Sequence, residues 1–271
     1  MADDRLGTAI GCDYMSPAPI SQAEVDFFRS NGWLLTKPFS KEETQRIVSW
    51  VDEVQSWPAQ PSDASYLQYF EMTDDGPKIC RSENFSPYHA GLGVLLKDSV
   101  LTAIADLLLG EPSVLYKEKI NYKLPGGAGY APHQDAPAYP FVDNHVSCMI
   151  AVDDSLLENG CLDVVSAEHR ELLPVDARGC IRADIVEAFD WRAVEVYAGE
   201  VLWFHSLAPH RSGPNRSARS RRAIYPTYNS LRQGDLRDAY YAEKLRQFHE
   251  SAGDPGRTRV SLIGDFEGRP V

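Results

Sequence analysis

The chain has 271 residues, with 27 Lys plus Arg against 39 Asp plus Glu, a formal net charge of −12. Hydrophobic residues make 43% and charged residues 24%, an ordinary globular balance in a chain long enough to bury a core without disulfides or structural metals. The acidic balance excludes broad nucleic-acid binding, which needs a basic face. No run of about 18 apolar residues is present, which excludes a transmembrane helix.

The first residues, MADDRLGTAIGCDYM, begin acidic and lack an apolar core, so no secretory leader is expected. Residues 1–20 carry Gly, Pro and Ser without periodicity and predict a loose arm. Ser21 with Glu24 is a capping-box signal for a helix running to about Asn31-Gly32. Ser40 with Glu43 repeats that signal for a helix to about Trp57. Residues 58–90 are mixed, with Pro, Asp and Gly breaks and aromatics such as Tyr66, Tyr69 and Phe85. Residues 94–109 show 3.6-residue apolar spacing and stop at Gly110, predicting one helix. Residues 21–110 are thus expected to form a helical buttress.

Beyond 110 the pattern changes to short alternating runs. Residues 113–123 (SVLYKEKINYK) predict a strand, as do 145–152, 161–165, 193–197, 200–205 and 222–228. Turn signals separate most of them, at Pro125-Gly126-Gly127, Asn159-Gly160 and Ala198-Gly199. A small helical insert is expected near 182–191, and residues 235–249 predict a C-terminal helix. The fold class is therefore mainly β with flanking helices. Its core, at about 111–230, is expected to be a double-stranded β-helix (a jelly roll of cupin type), in a single domain spanning 21–271.

The five cysteines, at 12, 80, 148, 161 and 180, are odd in number, widely spaced and without a CxxC pair. Reduced thiols and a cytoplasmic location are expected. Two of the seven histidines stand out by their neighbours. His133 and Asp135 lie at i and i+2 in Pro132-His-Gln-Asp135, so in extended chain they face one side. His210 follows a β-like run 75 residues after Asp135. Two imidazoles and one carboxylate on one face of a metal are the facial triad of non-heme iron oxygenases. The pair alone is a weak signal, but the basic sequel to His210 strengthens it. About eleven residues on stand Arg221 and Arg222, and an arginine there suits a bidentate contact with an acidic co-substrate. Lys117, Lys119, Asn121 and Lys123 share one face of their strand, a face that either lines a polar site or meets water.

These stretches resemble the phytanoyl-CoA dioxygenase family of Fe(II)/2-oxoglutarate-dependent oxygenases. The likeness covers about residues 20–248 and is carried by KEKINYKLPG at 117–126, His133-Gln-Asp135, Glu158-Asn-Gly-Cys-Leu162, and His210-Arg-Ser-Gly-Pro-Asn215 through Arg221. The resemblance implies Fe(II) ligation by His133, Asp135 and His210, with 2-oxoglutarate and O2 as co-substrates. It implies that Arg221 and Ser212 hold the distal carboxylate of 2-oxoglutarate, with Lys119 and Asn121 near the co-substrate or the substrate. The retained Asp135 argues against halogenation. The implied reaction is hydroxylation of a small polar metabolite or natural-product intermediate, with release of succinate and CO2. Desaturation, cyclisation or epimerisation with the same cofactors stays open, as does a metal-binding cupin or ligand-binding protein without oxygen chemistry. Residues 117–139 look closest to bacterial small-molecule members, aminoalkylphosphonate hydroxylases among them. Arg81, Glu83 and Asn84 form a polar cluster suited to a small zwitterion, with a solvated loop as the alternative. Tyr139 and His145 are further candidates for substrate contact. A small-molecule partner is expected, neither nucleic acid nor membrane, in a monomer or homodimer.

Overall fold

The computed structural model describes residues 18–58, 66–73, 75–139 and 141–251. Most of the expected arm at 1–20, and Cys12 within it, lie outside the described residues.

Helix α1 (Gln22–Asn31) opens with the expected capping box between Ser21 and Glu24 and ends at Gly32 in the left-handed region. Strand β1 (Trp33–Thr36) follows, then α2 (Lys41–Gln55), capped by Ser40 and Glu43 in the same way. The chain then forms β2 (Leu67–Thr73), β3 (Gly76–Glu83), α3 (Ala90–Lys97), α4 (Val100–Leu109) and β4 (Ser113–Lys123). Next come β5 (Tyr130–His133), β6 (His145–Ala151), β7 (Leu162–Val164), the short α5 (Ala183–Val186) and β8 (Arg192–Val194). Last are β9 (Val201–His205), β10 (His210–Ser212), β11 (Arg221–Ser230) and α6 (Arg237–Ser251).

All strand pairs are antiparallel. A seven-stranded sheet has the order β1-β9-β6-β11-β4-β3-β2, and a four-stranded sheet the order β5-β10-β7-β8. The larger sheet is sandwiched between helices and the smaller sheet. Alternate residues of β6 therefore enter two different cores. Cys148 and Ile150 pack with Leu101, Ile104 and Leu108 of α4, whereas Met149 and Ala151 pack with Leu162 and Val164 of the smaller sheet. Every residue of β6 is buried as a result, which is why it appears in sequence as a near-continuous apolar run. On α4, Leu101, Ile104, Ala105 and Leu108 recur at helical spacing, and each buried Leu or Ile contributes roughly 1.5–3 kcal/mol.

Two expectations change. The single helix over 94–109 is two helices broken at Asp98-Ser99. The Ser99 hydroxyl donates to Leu95 O at 2.6 Å and accepts from Leu101 N at 3.1 Å, closing one helix and capping the next. Residues 67–83 add two strands to the larger sheet, so the buttress is not wholly helical. The Pro, Asp and Gly breaks there mark the ends of a hairpin.

Candidate functional site

Residues His133 and His210 are direct partners across the β5–β10 ladder, with ring centroids 4.2 Å apart. Asp135 lies two residues beyond the end of β5. The three side chains each offer one ligand atom, and those atoms lie within 4.8 Å of one another. His133 Nδ1 donates to Ala131 O at 2.7 Å and His210 Nδ1 to Ala208 O at 3.0 Å. Each bond fixes the tautomer and leaves the Nε2 lone pair free. Both Nε2 atoms point at Asp135 Oδ1, at 3.8 and 3.9 Å. Asp135 Oδ2 accepts from Ser147 Oγ at 3.1 Å, and Ser147 is itself bonded to Thr227 at 2.8 Å.

Electrostatics suits a cation here. Burial, with His210 beside it, pushes His133 down to about 3, so its imidazole is neutral. Burial opposes ionisation of Asp135, but His210, His133, Lys119 and Lys117 hold its carboxyl below the ordinary value. Two imidazoles and one carboxylate, all buried and all turned to one point, match the oxygen- and nitrogen-rich donor set that binds Fe(II) with positions left open.

The three ligand atoms open into a cavity of about 420 Å³, lined also by Lys117, Lys119, Asn121, Tyr139 and Thr227. The alternation of β4 puts its lysines on the cavity side, which settles the choice between a polar site and water. Arg221 lies on the wall of an adjoining hollow of about 330 Å³. Asn121 and Tyr130 line both, so the two spaces meet between them. Arg221 is 1% exposed. Its Nη1 donates to Ser155 Oγ at 2.8 Å and Gly160 O at 2.9 Å, while its buried Nε has no partner. Such an orphaned donor in a hollow fits an anionic group bound there. Ser212 Oγ accepts from Lys123 Nζ at 2.9 Å and from Tyr130 N at 3.2 Å. Arg222 turns the other way and pairs with Asp153 and Asp52.

The remaining candidates lie behind the cavity. Arg81 donates to Asn121 Oδ1 and the Tyr130 hydroxyl, both at 3.0 Å, and pairs with Glu83 at 3.2 Å. Glu83 also faces Lys244 at 3.7 Å. Asn84, at φ 56°, accepts from Arg237 at 2.7 Å. These three residues are buried, so the solvated-loop alternative does not hold, and none is on the cavity wall. His145 packs its ring 5.0 Å from Tyr139, and both of its nitrogens lack partners. Sequence reasoning passed over Gln134. Its Nε2 donates to Glu171 O and Leu207 O at 2.9 and 2.7 Å, and its Oε1 accepts from Leu173 N at 2.8 Å. The residue between two proposed ligands thus clamps the loops that flank them. Ser147 and Thr227 were also missed, because a lone hydroxyl in an apolar strand carries no spacing signal. His89 is buried and caps α3 by accepting from Leu92 N through Nδ1.

Residues 28–223 match the family described as phytanoyl-CoA dioxygenase. The chain is 43% identical over 255 residues to a protein of Gimesia maris named methylphosphonate hydroxylase, covering 93% of this chain and 97% of that one. It is 37% identical over 238 residues to a 2-aminoethylphosphonate dioxygenase of an uncultured bacterium, covering 86% and 90%. The crystal structure of EctD from S. alaskensis with 2-oxoglutarate and 5-hydroxyectoine superposes with a TM-score of 0.70 at 20% identity, over 84% of this chain and 83% of that one.

Proposed function

The chain belongs to the phytanoyl-CoA dioxygenase family, and we propose that within it the protein hydroxylates a small phosphonate. It is a non-heme Fe(II)/2-oxoglutarate-dependent dioxygenase acting on a small molecule. The reading of its centre rests on one observation, the convergence of His133, Asp135 and His210 ligand atoms at the wall of a single cavity. In this reading those three residues hold the iron. Arg221, with Ser212 and Lys123 beside it, receives the far carboxylate of 2-oxoglutarate, and Asn121 and Lys119 line the path between. Bound iron, 2-oxoglutarate and O2 together supply the oxidation, in which a substrate C–H becomes C–OH while the co-substrate yields succinate and CO2.

The chain's own residues supply position and exclusion. The Ala131 and Ala208 carbonyls hold both imidazoles in the metal-binding tautomer. Ser147 fixes the Asp135 carboxylate so that one oxygen stays turned to the histidines. Phe204 and Leu162 close the apolar side of the cavity and keep water from the reacting carbon. The cavity brings Lys117, Lys119, Asn121 and Thr227 to the same wall as the three ligand residues, a polar lining suited to a small anionic substrate. The phosphonate class is drawn from the two relatives named above.

The test is anaerobic titration of the apo-protein with Fe(II) and 2-oxoglutarate, followed by methylphosphonate and air. A visible charge-transfer band and stoichiometric succinate, with a hydroxymethylphosphonate signal by phosphorus NMR, are expected. His133→Ala should abolish the band and Arg221→Ala weaken it. A folded protein that gives no band would overturn the oxygenase centre, and a band without phosphonate turnover would overturn the substrate class.

A further inference from the structure

Lys117, buried, and Lys119, half-buried, stand on the wall of the same cavity as the proposed ligands. Among the described residues neither Nζ has a carboxylate within 4.0 Å or a hydrogen-bond partner. Each lies instead over an aromatic face, Lys117 at 4.4 Å from the Tyr139 ring centroid and Lys119 at 5.3 Å from that of Tyr225. Burying an ammonium without a counter-ion costs free energy, and that cost is offset only when an anion enters.

Lys117 and Arg221 do not serve the same anion. Along the β4–β11 ladder the rows run Lys123–Arg221, Asn121–Ala223, Lys119–Tyr225 and Lys117–Thr227. Six residues at about 3.4 Å each set Lys117 about 20 Å along the strand from the Lys123–Arg221 row. Arg221 lines the adjoining hollow and not the cavity that holds the ligand atoms, whereas Lys117 lines that cavity and not the hollow. The Lys117 row is also the row of Asp135, because Thr227 pairs with Ser147 and Ser147 bonds Asp135.

We propose that Lys117, with the Thr227 hydroxyl beside it, is the subsite for the substrate's oxyanion, separate from the carboxylate subsite at Arg221. The choice of a phosphonate for that oxyanion rests on the function proposed above. A second property of the wall narrows the class. Asp135 is the sole carboxylate on the cavity wall among the described residues, and it faces the histidines. Glu83 is held by Arg81 and Lys244 behind the wall. A substrate ammonium therefore meets two lysines and no counter-ion. The subsite selects a phosphonate with a short uncharged tail, methylphosphonate over 2-aminoethylphosphonate.

The test is calorimetric titration under nitrogen of protein loaded with Fe(II) and 2-oxoglutarate, with methylphosphonate, 2-aminoethylphosphonate and methanesulfonate as ligands. Lys117→Met should weaken methylphosphonate at least about 30-fold while 2-oxoglutarate affinity moves less than about threefold. Lys117→Arg should retain most of the affinity. The aminoethyl compound should bind the wild type at least about tenfold more weakly than the methyl compound. Lys117→Met should also melt higher than the wild type in the absence of ligands, because an unpartnered charge has been removed. A lower melting temperature, an equal loss of 2-oxoglutarate affinity, or unchanged phosphonate binding in both variants would each overturn the subsite. Tighter binding of the aminoethyl compound would overturn the selectivity. If the wild type binds no phosphonate but binds methanesulfonate through Lys117, the phosphonate reading fails and the oxyanion subsite stands. If no anion binds in a Lys117-dependent way, the subsite falls.

Discussion

Arg221 and Lys123, direct partners across the β4–β11 ladder, donate to the same acceptor, the carbonyl oxygen of Gly160, at 2.9 and 3.2 Å. Two buried basic groups share one neutral oxygen. Among the described residues neither has a carboxylate within 4.0 Å. Burial, with Arg221 next to it, pushes Lys123 down to about 6. The pair is held together by the Gly160 turn and waits for negative charge. In the proposed reading the hollow at Arg221 is a carboxylate receptor built before its ligand arrives.

The first prediction follows from linkage. A ligand that binds only the folded state at about 100 times its Kd adds about 2.7 kcal/mol, which in a chain of this size raises Tm by roughly 5–10 °C. 2-Oxoglutarate should do so in the metal-loaded protein, as read by differential scanning calorimetry under nitrogen. Arg221→Met should lose most of that shift at the same concentration. An undiminished shift in the variant would remove Arg221 from the co-substrate site.

Gly160 sets the geometry of the shared carbonyl. It sits at φ +74°, and a Cβ there would lie 2.2 Å from Gly213 O. Gly160→Ala meets both backbone strain and a clash with backbone that cannot swing aside, and should cost about 2–4 kcal/mol. Gly126 is also at positive φ, +73°, but a Cβ there would meet nothing within 4 Å. Gly126→Ala should cost only about 1 kcal/mol. Urea denaturation of the two variants separates these outcomes, and equal losses would show that strain alone decides.

Gln134 uses both ends of its amide to hold the backbone at Glu171, Leu173 and Leu207. Gln134→Leu keeps the volume and leaves three backbone groups without partners. Iron affinity should fall about 10–100-fold, with the Tm of the metal-free protein reduced as well. Fe(II) titration followed by the charge-transfer band reads the first effect. Unchanged affinity would make the clamp purely structural.

Much of this centre was legible in the sequence. The i, i+2 spacing of His133 and Asp135 is set by local chain geometry, so strand reasoning put them on one side, whereas Arg221 was preferred to Arg222 through the family resemblance. Strand alternation alone assigns Lys117, Lys119, Asn121 and Lys123 to one face of β4. The rest depends on distant chain segments. β1, β5, β7, β8 and β10 have only three or four residues each, and β1, β5 and β10 went unseen because so few residues show no alternation. β2, at the sheet edge, and β3 beside it were hidden because polar and apolar residues mix along both. Arg81, Glu83 and Asn84 were recognised as a polar cluster, but their partners lie in β4, β5 and α6, which composition cannot reveal.

Lys117 predicts a pH limit on phosphonate binding. Burial lowers it to about 8; Asp135 and Glu83 oppose that shift, while Arg81 and Lys244 add to it. Below about pH 8 the free site carries the ammonium that an oxyanion needs. Above it the amine is neutral, and affinity should fall about tenfold per pH unit until the complex itself deprotonates. In Lys117→Arg the guanidinium stays charged, so this alkaline limb should vanish. Calorimetric Kd values between pH 6.5 and pH 9.5, roughly spanning the limb, check both curves. A limb that survives in the arginine variant would belong to another group.

The last prediction concerns the back of the same strand. Glu118 lies between Lys117 and Lys119, and β4 alternation turns it away from the cavity. It is fully buried and paired with Arg237 of α6 through both carboxylate oxygens. It also accepts from Ser86 N at 2.9 Å, and the Tyr241 hydroxyl bonds both its backbone N–H and its carbonyl. The C-terminal helix is thereby bolted to the strand that presents the cavity lysines. Glu118→Gln leaves Arg237 buried without its counter-charge and should cost about 3–5 kcal/mol. Arg237→Met removes the opposite partner, and Glu118 keeps Ser86 N, so its cost should be smaller. If the pair acts as a unit, the double variant should be nearly as stable as the weaker single one, giving a coupling of at least about 1 kcal/mol in a double-mutant cycle. Urea denaturation supplies the four stabilities. Additive losses would mean that α6 is held by Tyr240 and Tyr241 packing on Tyr116 and Tyr139 rather than by the ion pair. In that case the lysine face of β4 would keep its position without Glu118, and phosphonate affinity would survive both single variants.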